Sequence, residues 1–355
     1  MNIGIIGCGR IAQLRHLPFL SRAKNVCIAA LADIDRERLS RVADRFGINR
    51  CYNDHIALLD DQEIDAVLVC TPPAEHFAHA TAVLKSGRHL FVDAPLALSV
   101  EDCNSLVELG LRTDCVATVG LNLRHHRLIQ RAKHCIRDGW IGPVQAISAT
   151  FTTPSRGNRA DKFPAWRQPQ NIDGSVFMEG AIHHFDAWRD LTNAEFTSIS
   201  VQSPIAGGSV SMSATMIAAE RANNQRAIVV GAVFSEYAGD NSEIRVMGRD
   251  GTITLSLYRY NGFDYCPALA HHGSAKQHIN KVIESIRSLP AGFRTLGAGE
   301  YGRTFEMQLE AFLHAIRSNG DASISLDDGA AATSAALAAI RSIDIQKRVE
   351  LFSIV

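Results

Sequence analysis

The first residues of the chain restrict its fold more than any other stretch. An apolar run at residues 2–6 leads directly into Gly7-x-Gly9-x-x-Ala12, and a helical pattern follows. In such a turn the first glycine permits a tight reversal, and the second lets the backbone approach a pyrophosphate. The small third residue lets the helix pack close to the sheet, with its N-terminal NH groups facing the phosphates. The pattern therefore predicts a βαβ unit that binds a dinucleotide.

An acidic residue further along indicates which dinucleotide. Asp33 stands at the end of the second predicted strand, about 20 residues after the glycines. A carboxylate there accepts hydrogen bonds from ribose hydroxyls and repels a 2′-phosphate, so the sequence favours NAD over NADP. Arg36 and Arg38 lie close enough to soften that preference, and Arg10 and Ile11 complete the predicted cofactor contacts. In the alternative interpretation the turn binds nothing and Asp33 caps the next helix.

The length and composition indicate two domains without a membrane segment. The chain has 355 residues, more than one ordinary core holds, with 46% hydrophobic and 21% charged residues. It has no run of about 20 apolar residues and no signal-peptide pattern. Eight scattered cysteines without a CxxC pair are typical of reduced thiols, so a cytoplasmic location is expected. The net charge of −1 predicts neither a nucleic-acid nor a membrane partner.

Through residue 121, short apolar runs alternate with helical patterns, as in a parallel α/β sheet. Strands are expected at Asn2–Ile6, Val26–Leu31, Ala66–Cys70, His89–Val92 and Cys115–Val119, with helices around Ile11–Ser21, Arg36–Phe46, Glu75–Lys85 and Val100–Leu109. Gly87 suits a left-handed helix end, and Ser99 with Asp102 is a candidate capping box. Right-handed crossovers between such strands give a doubly wound sheet. Residues 1–121 are therefore predicted to form a Rossmann dinucleotide-binding domain.

Residues 122–355 show a different pattern. A helix is expected around Leu128–Asp138, followed by strands at Gln145–Thr152, Thr197–Gln202, Val210–Ala218, Arg226–Ser235, Glu243–Met247 and Thr252–Leu257. Their hairpin-like spacing predicts a large, mostly antiparallel sheet. Helices at Ser175–Asp190, Phe305–Ser318 and Gly329–Ile343 are expected to cover one face of it. The second half of the chain is thus predicted to be an α+β domain for substrate binding and oligomerisation.

Several motifs together resemble the glucose-fructose oxidoreductase, inositol dehydrogenase and MocA family over nearly the whole chain. They are Gly7–Ala12, Thr71–Pro73 with His76, Asp93–Leu96, Gly120–Arg124, Gly174–Asp186, Met247–Thr252 and Gln308–Leu309 with Phe312. The resemblance implies a Rossmann domain followed by an open-faced sheet domain, usually in dimers or tetramers. It also implies oxidation or reduction of sugars, inositols or related polyols.

Two positions depart from the family pattern. The family's Glu-Lys-Pro motif supplies a lysine near the nicotinamide, and its Asp-x-x-x-His motif supplies the acid/base histidine. The resemblance places His183 at the histidine and Glu179 at the aspartate, four residues apart on one helical face. The Glu-Lys-Pro position reads Asp93-Ala94-Pro95, so Ala94 stands where the family has its lysine.

The loss of that lysine matters for chemistry. Hydride transfer from a carbinol requires removal of the hydroxyl proton, which a histidine can perform. A nearby ammonium polarises the oxygen, and losing such a group costs on the order of 10²–10³ in rate. Three explanations of Ala94 stay open: an engineered Lys-to-Ala variant, a natural member that uses another group, and a protein that binds without turnover. Lys162, His125 and His126 are candidate replacements, although each also fits a surface or structural role.

The remaining candidate residues fall into two groups. Cofactor contacts are expected at the carboxyl ends of two parallel strands, from Thr71, Pro72, His76, Asp93 and Pro95. Substrate contacts are expected from Asn122, Arg124, Trp166, Arg167 and His184. Arg124 fits a salt bridge between the domains equally well, and His184 fits packing. The Trp166-Arg167 pair also fits an oligomer contact.

Other chemistries find no support. The 14 histidines show no zinc-ligand spacing, so no metal is predicted, and a Gly-x-Ser-x-Gly elbow is lacking. The sequence favours an NAD-dependent oxidoreductase acting on a sugar, polyol or related cyclic alcohol, and the resemblance implies a homodimer or homotetramer through the C-terminal sheet. A non-catalytic NAD- and sugar-binding regulatory protein is the first alternative. Redox-neutral glycoside cleavage with NAD is the second.

Overall fold

The computed structural model describes residues 1–154, 177–202, 210–219, 225–237, 241–259, 261–268 and 299–351. The chain divides into two compact units, Met1–Asn122 with Phe305–Ser334 and Leu123–Thr304 with Ala335–Val355. All eight cysteines are free thiols. Among the described helices, none has the length and apolar character that crossing a membrane requires.

The first unit is built on a six-stranded parallel sheet. Its strands are β1 (Asn2–Ile6), β2 (Cys27–Ala32), β3 (Arg50–Tyr52), β4 (Ala66–Val69), β5 (His89–Asp93) and β6 (Ala117–Gly120). They lie in the order β3-β2-β1-β4-β5-β6, with every neighbouring pair parallel. The strand order reverses direction between β1 and β4, which is the point where doubly wound sheets bind their ligands. The predicted Rossmann sheet is confirmed.

Helices connect these strands. They are a π-helical turn (Ala12–His16), α1 (Leu17–Leu20), α2 (Arg36–Phe46), α3 (His55–Leu59), α4 (His76–Lys85) and α5 (Val100–Gly110). The Ser99 side chain accepts a hydrogen bond from Asp102 N, as the capping pattern predicts, and Gly87 has φ +73° after the end of α4. β3 and α3 escaped the sequence analysis because three to five residues are too few to show a period.

One helix from late in the chain packs into this first unit. Leu309, Phe312 and Leu313, on α8 (Gly299–Ser318), belong to the same buried cluster as Ile5 and Phe91. The helix at residues 305–318 was predicted to cover the sheet of the second domain, and this prediction is wrong. An apolar helical stripe specifies that a helix buries one face, but it does not specify which sheet covers that face.

The second unit carries an eight-stranded mixed sheet. Its strands are β7 (Val144–Pro154), β8 (Ala194–Gln202), β9 (Val210–Ala219), β10 (Gln225–Tyr237), β11 (Asn241–Gly248), β12 (Gly251–Ser256), β13 (Phe263–Pro267) and β14 (Val349–Glu350). The order is β13-β12-β11-β7-β10-β9-β8-β14, and each described pair is antiparallel except β7 with β10. The predicted mostly antiparallel sheet is confirmed.

Three further helices follow in chain order: α6 (Arg127–Arg137), α7 (Ile182–Thr192) and α9 (Leu326–Ile345). The Phe185 ring of α7 lies against Phe196 of β8 and Phe234 of β10, at 5.4 and 6.1 Å between ring centroids. On the other face of β10, Val229 is 60% exposed and Val233 38% exposed. The sheet is therefore covered on one face and open on the other at its central strand.

Candidate active site

The glycine turn after β1 has the geometry that a dinucleotide requires. Gly7 has φ +94°, and a Cβ there would lie 2.7 Å from the carbonyl of Cys70, so no larger residue fits. A Cβ at Gly9 would meet only the Cys70 carbonyl oxygen, 3.9 Å away, so the second glycine leaves open space beside the backbone. Ala12 is fully buried against the sheet. These residues fit a pyrophosphate at the N-terminus of the following helical segment.

The two residues between the glycines and Ala12 are more accessible. Arg10 is exposed and Ile11 is half-buried. Beyond β2, Ile34 is 87% exposed although it directly follows the buried Asp33. An apolar side chain held in solvent at this loop is a surface on which a flat ring can stack, and the sequence analysis missed it.

Asp33 is held by four hydrogen bonds at the end of β2. Its Oδ2 accepts from Cys8 N at 2.7 Å and from Arg38 Nε at 3.0 Å. Its Oδ1 accepts from Asp35 N at 2.9 Å and from Arg38 Nη2 at 2.7 Å. Burial raises the pKa of Asp33, but these bonds and the Arg38 charge outweigh burial and hold the pKa below its ordinary value. Asp33 is thus an ionised acceptor beside the glycine turn, with Arg38 as its close partner.

The predicted cofactor residues after β4 and β5 meet at the carboxyl edge of the first sheet. The His76 ring is buried, with Nδ1 2.6 Å from the Pro95 carbonyl oxygen and Nε2 2.8 Å from that of Thr71. The Thr71 hydroxyl lies 3.1 Å from Nδ1 of His79. One imidazole therefore joins the segment after β4 to the segment after β5. Pro72, next to Thr71, begins a short 3-10 turn that leads into α4.

Position 94 lies within this edge. Ala94 is half-buried, and its peptide bond to Pro95 is cis. Asp93 precedes it, with its carboxylate oxygens 3.0 and 3.3 Å from Nε2 of the buried His16. Burial raises the pKa of Asp93, but the His16 charge and hydrogen bond, with the His76 charge, hold that pKa below its usual value.

His16, Cys70 and Asp93 bring three potential metal ligands within 4.8 Å of one another. Burial, the Asp93 charge and a hydrogen bond to Asp93 raise the pKa of the Cys70 thiol well above its ordinary value. The three residues form a hydrogen-bonded group around the Asp93 carboxylate. The expectation that the chain binds no metal stays a prediction.

Glu179 and His183 stand where the π-helical turn Phe177–Ala181 passes into α7. Every residue from 177 to 189 is buried except Glu179, Gly180 and His183, which are half-buried. Their spacing of four places both polar side chains on one side of the helical segment. π-turns occur frequently at functional sites. These two residues are the ionisable groups of this segment that reach a surface.

His184 points into the core of the second unit. Its Nε2 lies 2.9 Å from the hydroxyl of Ser242, and its ring centroid lies 4.6 Å from that of Phe151. Burial lowers the pKa of His184 to about 4, so the ring is neutral. These contacts are those of the packing role that the sequence left open for His184. Its substrate contact stays a prediction. Adjacent residues on a helix face different directions, so His183 and His184 cannot share one surface.

Arg124 forms ion pairs with α7. Its Nε donates to Asp186 Oδ2 at 2.7 Å and its Nη2 to Asp186 Oδ1 at 2.6 Å, while Nη1 lies 3.6 Å from Asp190. Asp186 is fully buried. Arg124 and Asp186 both belong to the second unit, so this salt bridge is not the predicted one between the domains, and the substrate contact of Arg124 stays a prediction. Asn122 is fully buried as well, so its side chain offers no surface to a substrate.

The proposed replacements for the missing lysine differ in position. His126 caps α6, since its Nδ1 accepts from Leu128 N and its Nε2 lies 2.9 Å from the Leu257 carbonyl oxygen. Burial lowers the pKa of His125 and of His126 to about 4. His126 therefore has a structural role. Lys162, Trp166 and Arg167 lie outside the described residues.

Comparison with known families follows the same division of the chain. Residues 1–121 match a model described as an oxidoreductase family with an NAD-binding Rossmann fold. Residues 129–254 match the GFO/IDH/MocA C-terminal domain, and the two matches together cover more than half of the chain.

The chain belongs to the GFO/IDH/MocA oxidoreductase family. Among its relatives, myo-inositol 2-dehydrogenase of Thermotoga maritima is 25% identical over 100% of both chains. The scyllo-inositol 2-dehydrogenase (NAD(+)) of Bacillus subtilis is 26% identical over 94% of this chain and 93% of its own. Levoglucosan dehydrogenase, solved with NADH and L-sorbose, shares the fold with a TM-score of 0.82, at 20% identity over 100% and 99% of the chains. The predicted family, NAD cofactor and dehydrogenase class are confirmed.

Two histidines of this GFO/IDH/MocA member escaped the sequence analysis. His16 binds Asp93, and His79 lies against Thr71 and against the ring of His55, at 4.4 Å between ring centroids. His16 lies four residues after Ala12, hence on the same helical side as a buried residue. That spacing is the signal by which His16 was detectable, whereas the contact of His79 with Thr71 depends on tertiary structure.

Proposed function

We propose that the chain transfers a hydride between NAD and a sugar, inositol or related polyol. His183 is the acid/base and Glu179 orients its ring or binds a substrate hydroxyl. The proposal is carried by one observation: between residues 177 and 189, Glu179 and His183 are the ionisable residues that are half-buried rather than buried. The activities of the inositol dehydrogenases to which the chain is similar support the substrate class.

The chain's own residues would hold the cofactor in defined ways. The glycine turn accommodates the pyrophosphate, and Asp33 accepts hydrogen bonds from the ribose hydroxyls. The sheet edge at Thr71 and Pro95 adjoins the nicotinamide. NAD, when bound, accepts or delivers the hydride. His183 takes or returns the hydroxyl proton, which is the ordinary task of a histidine in such chemistry. At position 94, an alanine leaves the developing oxyanion without an ammonium.

Ala94 is the specific reason to retain a second candidate function, a protein that binds NAD and a polyol without turnover. The two are separated by NADH absorbance with a polyol panel, using the unaltered chain, Ala94→Lys and Ala94→Met. Methionine matches the length of lysine without its charge. If Ala94→Lys alone raises the rate, by about 10²–10³, the chain is a disabled dehydrogenase.

Other outcomes have equally definite meanings. Turnover by the unaltered chain that His183→Gln abolishes identifies a natural enzyme that needs no lysine. Demonstrated NAD binding with no NADH signal from any of these proteins would contradict hydride transfer and favour the binding protein. Release of an aglycone from a glycoside without net NADH would instead indicate redox-neutral cleavage.

We also propose that two copies associate through the open face of the second sheet. Val229 and Val233 stand on β10, which is flanked by β7 and β9, so these valines are exposed at the centre of a sheet. Two exposed valines at the centre of a sheet support a contact between copies at this face.

A further inference from the structure

His76 occupies an unusual position for a histidine. It is the first residue of α4, and its ring is only 1% exposed. Both ring nitrogens face backbone carbonyl oxygens: Nδ1 lies 2.6 Å from that of Pro95, and Nε2 lies 2.8 Å from that of Thr71. Both distances are those of hydrogen bonds.

The chemistry of these two contacts restricts the protonation of the ring. A carbonyl oxygen only accepts hydrogen bonds, and a neutral imidazole carries a single N–H. In either neutral tautomer, one nitrogen lone pair would face an oxygen lone pair at hydrogen-bond distance, at a residue that is only 1% exposed. A ring with both nitrogens protonated donates on both sides. Hydrogen bonds from a charged donor are also shorter and stronger than neutral ones.

The charges around the ring divide into favourable and unfavourable ones. The favourable charge is that of Asp93, whose side chain is 15% exposed. Burial raises the pKa of Asp93, but His16 and then the His76 charge hold that pKa below its usual value. The partial positive charge at the N-terminus of α4 disfavours a cation there. His79, one turn along, adds no charge, because burial and then the charges of His55 and His76 lower its pKa to about 4. Glu75, the preceding residue, is exposed.

We propose that His76 is a fixed imidazolium, which supplies the positive charge at this edge of the sheet where position 94 has no lysine. Its charge balances Asp93, and its two N–H groups hold the segments after β4 and β5 in place. The other histidine at Asp93 is His16, whose Nε2 lies 3.0 Å from Oδ1 of that carboxylate.

This assignment has a consequence for the cofactor, which rests on the proposed function because it requires the nicotinamide to lie at this edge. The oxidised nicotinamide ring is positively charged and the reduced ring is neutral. Removing the imidazolium takes one positive charge from the surroundings of Asp93, and the more negative edge that remains favours the oxidised form. We expect His76→Gln to shift the ratio of NADH affinity to NAD⁺ affinity roughly tenfold toward NAD⁺. A shift of this size corresponds to the interaction of one protein charge with the charged nicotinamide ring across a few ångströms.

The direct test is ¹⁵N NMR of the histidine rings in the unaltered protein, from about pH 5 to 8, the range in which an ordinary histidine titrates. His76→Gln identifies the His76 signal, and backbone correlations identify it if that variant does not fold. Protonated-type shifts on both nitrogens, unchanged over this range, are the expected result. His79 should show the neutral pattern and serves as the internal reference. A neutral or titrating His76 overturns the proposal, whether or not the protein turns over a polyol.

The affinity measurement is a separate arm of the test. NADH and NAD⁺ dissociation constants are compared for the unaltered protein, His76→Gln and the exposed control His134→Gln. An unchanged ratio in His76→Gln, with the imidazolium seen by NMR, overturns its electrostatic role at the cofactor. Absence of turnover with an altered ratio contradicts the proposed function alone.

Discussion

Arg38 donates two hydrogen bonds to Asp33, from Nε to Oδ2 at 3.0 Å and from Nη2 to Oδ1 at 2.7 Å. The carboxylate that we propose as the ribose acceptor therefore forms an ion pair with the neighbouring cation. Because the Arg38 side chain remains 35% exposed, it can turn toward an anion. We therefore expect the preference for NAD to depend on this pair rather than on Asp33 alone.

Replacing Asp33 by serine should exchange the cofactor preference. Asp33→Ser removes the ribose acceptor and releases Arg38, so NAD affinity should fall and NADP affinity rise, each by roughly tenfold or more for a charged hydrogen bond. Dissociation constants from reduced-cofactor fluorescence measure both changes. Asp35→Ser is the matched control, because Asp35 also contacts Arg38 but a serine still caps α2. A preference for NAD that survives in Asp33→Ser would contradict this account.

The Arg124–Asp186 pair should be a stability determinant of the second unit. Asp186 is fully buried, and removing one partner of a buried pair costs up to about 3–5 kcal/mol. Arg189 Nη1, 3.8 Å from Asp186 Oδ1, compensates part of the remaining charge. Arg124→Met should therefore lower the denaturation midpoint in urea markedly, and Arg124→Met with Asp186→Leu should recover part of the loss. Arg112→Met, whose partner Glu108 is exposed, should change stability by less than about 1 kcal/mol. Equal effects of Arg124→Met and Arg112→Met would show that the buried pair is not special.

Buried histidines should make the fold sensitive to acid. Burial lowers the pKa of His184 to about 4, against about 6.5 in an unfolded chain. Between these values the unfolded state binds the extra proton, so the free energy of unfolding falls as the pH falls, by up to about 1.4 kcal/mol per pH unit for each such group. His184→Gln should flatten this dependence while lowering the stability at neutral pH.

The measurement is urea denaturation at several pH values between about 7 and 4. The exposed His134→Gln serves as the control and should leave the slope unchanged. A slope in His184→Gln equal to that of the unaltered protein would show that His184 does not contribute to acid sensitivity.

The open sheet face should mediate self-association. Val229→Asp places a charge at the centre of the exposed face and should dissociate the oligomer, as measured by sedimentation velocity. Leu111→Asp, at an exposed apolar residue outside the sheet, is the control and should leave the mass unchanged. A monomeric unaltered protein, or an oligomer that Val229→Asp does not disturb, would exclude this surface.

The sequence alone determined those features that depend on local chain geometry. β1 and α2 were predicted to the residue, as was the cap formed by Ser99, because short-range periodicity and side-chain caps act within one or two turns. The glycine turn was also predictable from the sequence, since only glycine tolerates φ +94° against the Cys70 backbone.

The tertiary structure decided which groups meet across the chain. The partner of Arg124 is Asp186, 62 residues further along the chain, and that of His76 is the Pro95 carbonyl. The helix at residues 305–318 packs against the first sheet, which lies far earlier in the chain. None of these pairings can be predicted from the local sequence. Which residues contact one another depends on how whole layers of helices and sheets pack. A polar residue in the core and one at the surface can also have the same sequence neighbours, so the local sequence does not distinguish them. For this reason the sequence identified a dinucleotide site and a missing lysine, whereas only the fold showed how His16 and His76 surround Asp93 beside position 94.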